Sequence, residues 1–91
     1  MVEEKKYHIL IIDDDKRIRE LLKQFLNKNG FFVTTSADTS EAKKEISKFL
    51  FDLMVIDLMM PNESGIEFLM AIRKNGNKKH LVIGHIFLNG N

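Results

Sequence analysis

Two short apolar runs, each emptying into aspartate, limit what this chain can fold into. The first is Ile9-Leu10-Ile11-Ile12, followed by Asp13-Asp14-Asp15. The second is Phe51-Asp52-Leu53-Met54-Val55-Ile56, followed by Asp57 and then Leu58-Met59-Met60-Pro61. Their apolar cores are continuous rather than alternating. Such runs read as strands buried on both faces, which need a layer packed above and another below. A carboxylate at the end of a buried strand costs solvation free energy and so calls for a reason. Two strands ending this way point to one shared acidic site, and an acidic site calls for a cation.

The segments between and after these runs change period. Tyr7–Ile12 reads as the first strand. From Lys16 onward, Ile18, Leu21, Leu22, Phe25 and Leu26 form a helical stripe. Asp15 is placed to cap that helix, and Gly30 sits where a left-handed stop is expected. Phe31–Thr35 is a short second strand. Glu41–Leu50 reads as a second helix with Ala42, Ile46, Phe49 and Leu50 apolar, capped by Thr39 or Ser40. Leu53–Ile56 is the third strand. Ser64-Gly65-Ile66-Glu67 has capping-box spacing and opens a third helix through Arg73, ending near Gly76. Leu81-Val82-Ile83 is a fourth strand. Strands alternating with helices predict an α/β fold, with a parallel sheet and helices on both faces. In such sheets the functional crevice lies at the carboxyl ends of the strands, where Asp13, Asp14 and Asp57 fall.

Composition narrows the classes. The chain has 91 residues, 44% hydrophobic and 30% charged, with a net charge of +1 and no cysteine. It is long enough for one small domain, residues 1–91. The near-zero charge argues against direct nucleic-acid binding, and Lys5-Lys6, Lys43-Lys44 and Lys78-Lys79 read as solvated faces. The absence of cysteine excludes thiolate metal sites. No apolar run approaches the roughly 18 residues needed to span a membrane. A cytoplasmic domain without membrane contact is expected. His8, His80 and His85 read as surface residues.

The acidic residues set the chemistry. Two like charges about 4 Å apart repel by roughly 4 kcal/mol at an effective dielectric of 20. The cluster must take up a proton, pair with a base or bind a cation. Oxygen ligands without histidine favour a hard ion, best Mg2+, over zinc. An aspartate beside such an ion can act as a nucleophile toward a phosphoryl group.

Ile11-Ile12-Asp13-Asp14-Asp15, Asp57-Leu58-Met59-Met60-Pro61 and Gly65 together closely resemble the receiver domain of bacterial two-component response regulators. The flanking residues Phe51–Ile56 and Gly65-Ile66 match in tone the receivers of winged-helix transcription regulators. The resemblance runs from about Tyr7 to Arg73. It implies a flavodoxin-like sheet of order 2-1-3-4, for which receivers are a standard example, so that order is inherited from the resemblance. It also implies that Asp57 is the phosphoacceptor. By the same likeness Asp14 contacts Mg2+ directly, Asp13 mainly through water, and the backbone carbonyl of Met59 is a further ligand. A sensor histidine kinase is the implied partner. The domain itself is a signalling module and not an enzyme.

Against the family pattern, His85 falls where a Thr or Ser hydroxyl is expected, and the last helix–strand–helix with its Lys has no counterpart. The sequence therefore reads as a receiver incomplete at its C-terminus. Slow phosphorylation is expected, as is a homodimer through the C-terminal segment, where Ile83, Ile86, Phe87 and Leu88 are apolar. Two other classes compete. One is a degenerate receiver acting as a non-phosphorylated dimerisation or binding module. The other is a haloacid-dehalogenase-type phosphohydrolase, whose strand-end Asp-x-Asp spacing Asp13-Asp14-Asp15 fits.

Overall fold

A computed structural model describes residues 6–57, 60, 67, 68, 70 and 71 and the backbone of 81–83. Its elements run β1 (His8–Ile12), α1 (Lys16–Lys28), β2 (Phe32–Ser36), α2 (Thr39–Lys48), β3 (Leu53–Ile56) and β4 (Leu81–Ile83). Glu67, Phe68, Met70 and Ala71 are also helical, within the expected third helix. The four strands form one parallel sheet of order β2-β1-β3-β4. This is the flavodoxin-like order. The chain leaves β1 for β2 on one side, then returns past β1 to β3, so the strand order reverses between β1 and β3.

The continuous apolar runs are explained by two cores, one on each face of the sheet. Leu10, Ile12, Met54 and Ile56 pack with Ala42 and Ile46 of α2, and with Phe51, Met60 and Phe68. The alternate residues Ile9, Ile11, Leu53 and Val55 pack with Leu22 and Leu26 of α1, and with Phe31 and Val33. Each strand residue of β1 from Ile9 to Ile12 is therefore buried, whichever way it points.

Helix ends follow side-chain chemistry. The Asp15 carboxylate accepts from the Arg17 backbone N–H at 2.9 Å, capping α1 as expected. Gly30, just past the helix, has φ of +92°, a conformation that suits glycine. The cap of α2 differs from expectation. It is Asp38, whose Oδ1 accepts from the Glu41 N–H at 2.8 Å, while Thr39 is already inside the helix and buried. The helix ends at Lys48, because Phe49 turns to extended backbone (φ −130°, ψ 151°). Phe49 and Leu50 thus lie beyond it and are exposed.

The apolar stripe of α1 is wider than the surface it covers. Leu22 and Leu26 face the sheet, whereas Leu21 and Phe25 are 60% and 61% exposed. His8 also departs from expectation. It is half-buried, with Nε2 2.7 Å from Thr34 Oγ1 and its ring 4.4 Å from that of Phe51. Ser64, Gly65, His80, His85 and the segment 84–91 lie outside the described residues. No described helix is long and apolar enough to cross a membrane.

Candidate functional site

The carboxyl ends of β1 and β3 are neighbours, and the parallel hydrogen-bond ladder continues one residue past each strand. Asp57 N–H donates to Ile12 O at 2.9 Å, and Asp13 N–H donates to Ser36 O at 3.1 Å. Asp13 and Asp57 therefore stand side by side at the point where the strand order reverses. Asp14 follows in the loop before α1. Carboxylate oxygens of Asp13, Asp14 and Asp57 all lie within 4.8 Å of one another. Asp14 is exposed and the other two are half-buried. Beneath them the floor is apolar, formed by Ile11, Ile18, Leu22 and Val55.

Hydrogen bonds hold this loop in one shape. The Asp15 N–H donates to Asp13 Oδ1 at 2.9 Å, closing a tight turn over Asp14. Arg19 Nη1 donates to the Asp13 backbone carbonyl at 2.9 Å. The fourth acidic residue, Asp15, is engaged elsewhere. Its Oδ2 lies 3.2 Å from Arg17 Nη2, and its carboxyl is held below the usual carboxylate range, chiefly by that side-chain hydrogen bond. Asp15 is thus turned to Arg17, and the acidic neighbour of Asp13 across the sheet is Asp57.

The Asp13 carboxyl is raised above its ordinary value of 3.8. Desolvation by burial is the largest cause; the Asp15 N–H opposes it, and the charges of Asp57, Asp14 and Asp15 add to it. A carboxyl held up in the folded state favours folding below its unfolded pKa, and that contribution is lost as pH rises through the folded value. Asp13→Asn should therefore raise stability at neutral pH by a few tenths to about 1 kcal/mol, the range for part-exposed charges. The gain should vanish as pH falls through and below the ordinary carboxylate range. Urea unfolding of both chains at pH 4 and pH 7 checks this, and an equal gain at both pH values would refute it.

The sequence placed three of its four predicted ligands together. The fourth, Met59, lies outside the described residues. The oxygen-only donor set fits a hard divalent cation such as Mg2+. Sequence reasoning missed the Arg19 contact. A cation four places into a helix-forming segment reads as solvated, and only the loop's path brings the Asp13 carbonyl within its reach.

Known proteins share this sequence pattern and fold. The model of the response regulator receiver domain matches residues 9–85. The chain is 47% identical over 66 residues to protein PetR of Rhodobacter capsulatus, covering 72% of this chain and 28% of that protein. It is 40% identical over 73 residues to response regulator RR06 of Streptococcus pneumoniae, covering 80% and 32% respectively. The chain thus spans less than a third of these curated relatives. Among solved structures, it resembles response regulator TrrA of Thermotoga maritima in complex with Mg2+ and BeF, with a TM-score of 0.76 and 37% identity, covering 84% of this chain and 65% of that one. It also matches the complex of histidine kinase ThkA with TrrA, with a TM-score of 0.80 and 34% identity, covering 93% and 73%. With a sheet of receiver order and an acidic cluster at its switch point, the chain belongs to the response regulator receiver domain family.

Proposed function

We propose that this receiver domain accepts a phosphoryl group on Asp57 from the phosphohistidine of a sensor histidine kinase, with Mg2+ held by Asp13, Asp14, Asp57 and the Met59 carbonyl. The observation that supports this most is the convergence of three carboxylates within 4.8 Å at adjacent strand ends. Further support comes from the relative TrrA, captured with Mg2+ and BeF and with a histidine kinase.

In this reading a carboxylate oxygen of Asp57 forms the new P–O bond. The P–N bond to the kinase imidazole breaks and its electron pair goes to the departing nitrogen; the ring leaves as a neutral imidazole because its other nitrogen carries a proton in the phosphohistidine donor. The ion, when bound, supplies positive charge that offsets the charge on the phosphoryl oxygens. Asp13 and Asp14 would hold it. The loop hydrogen bonds from Asp15 N–H and Arg19 keep Asp13 oriented before any ligand arrives. Because His85 stands at the expected hydroxyl position, labelling should be slow.

The test is incubation with Mg2+ and acetyl phosphate, read by intact mass, beside an amide NMR titration with Mg2+ alone. One added phosphoryl group per chain, absent with chelator, is the expected result. Shifts around Asp13, Asp14 and Asp57 without labelling would favour a degenerate receiver that binds partners without phosphate. Unmoved resonances at saturating Mg2+ would overturn the site assignment itself.

A further inference from the structure

The Arg19 side chain reaches from α1 back to the backbone of the acidic loop. Its Nη1 donates to the carbonyl of Asp13 at 2.9 Å, in a half-buried contact. That carbonyl belongs to the peptide joining Asp13 to Asp14, so the bond fixes the plane from which Asp14 starts. The Arg19 backbone N–H donates to Asp15 O at 3.1 Å. Arg19 is thus tied to the loop on both sides of Asp14. Asp15 N–H to Asp13 Oδ1 closes the remaining side. Asp14, exposed and between two braced residues, has little backbone freedom left.

Among the described residues, Arg19 pairs with no carboxylate. The loop's other cation, Arg17, is spent on Asp15. A guanidinium used on a carbonyl beside three carboxylates holds a shape and does not neutralise the cluster by direct contact. We propose that Arg19 is a positioning residue for the cation site, holding the 13–15 loop in the conformation that presents Asp13 and Asp14 to the ion. This inference rests on the Mg2+ reading of the acidic cluster.

Charge and positioning predict opposite signs. Removing a cation near three carboxylates should tighten Mg2+ binding by Coulomb attraction alone. Removing a brace should weaken it, because the loop must then be ordered on binding. Arg19→Met keeps the apolar stem and removes the guanidinium. Amide NMR titration with MgCl2 should show binding three- to tenfold weaker than in the unsubstituted chain. Arg19→Lys, with charge and one donor end restored, should recover part of the loss. Lys23→Gln, the same charge change at an exposed position on the same helix, should leave affinity unchanged or slightly tighter.

Binding in Arg19→Met as tight as, or tighter than, in the unsubstituted chain would overturn the positioning role while leaving the cation site intact. No response to MgCl2 in the unsubstituted chain would instead overturn the site. Should Arg19→Met not fold, the unsubstituted chain decides. The Arg19 side-chain N–H resonance should move with the same midpoint as the Asp14 amide, and a resonance that stays fixed would overturn the proposal.

Discussion

Asp57→Asn is expected to abolish phosphoryl labelling while leaving the chain folded and slightly more stable without cation. Asn matches Asp in size, and the backbone N–H of residue 57 would still donate to Ile12 O. What disappears is the anionic oxygen that forms the P–O bond. One of three converging negative charges disappears with it. Unit charges at the cluster's spacing repel by roughly 4 kcal/mol at an effective dielectric of 20. Asp14 is exposed and Asp13 and Asp57 are only half-buried, so solvent screens most of this. The measurable gain should be a few tenths to about 1 kcal/mol. Intact mass after acetyl phosphate and a urea midpoint without Mg2+ check both halves. Labelling that persists would place the acceptor elsewhere. A marked loss of stability would make Asp57 a structural residue.

The acidic cluster was legible in the sequence because burial makes a strand-end carboxylate conspicuous. Asp13 and Asp57 each close an apolar run, and parallel pairing of those runs leaves the two residues adjacent. Strand order was another matter. Periodicity gives the strands but not their neighbours, so the order came only through resemblance to a known family. Local end effects were legible where one side chain decides, as at Asp15 and Gly30. They were misread at α2, where Asp38, Thr39 and Ser40 all have capping side chains. The choice there depends on which residue must be buried, and Thr39 is. His8 was misread for a similar reason. Its burial comes from Thr34, 26 residues away, and from Phe49 and Phe51, more than 40 away. No local pattern reports such contacts. The stripe on α1 shows the converse, since Leu21 and Phe25 keep the helical period but meet no core.

Phe51→Ala is expected to cost about 3–5 kcal/mol, the range for removing a large aromatic from a closed core. Phe51 is 1% exposed and belongs to the cluster that joins β1, β3, α2, Met60 and Phe68. Global stabilities of small domains are about 5–15 kcal/mol, so this is at least about a fifth of the total. The site lies at the opposite end of the sheet from the acidic cluster. There, His8 N–H donates to Asp52 Oδ2 at 2.8 Å, and Asp52 N–H returns a bond to His8 O at 2.8 Å. The His8 ring stands 4.4 Å from Phe51 and 5.4 Å from Phe49. Burial lowers its pKa below 6.5, against the opposing pull of Asp52 and Glu45. A base held down in this way loses stability for the fold as pH falls through 6.5 toward its folded value. Removing the Phe51 ring admits water beside His8, so its pKa should return toward the ordinary value and that pH dependence should flatten. Urea unfolding at pH 7.5 and pH 5.5, with an NMR titration of the His8 ring, measures both effects. A loss below about 1.5 kcal/mol would mean that the cavity collapses or that Phe51 is not closed in, while an unmoved His8 would assign its desolvation to Phe32 and Phe49 instead.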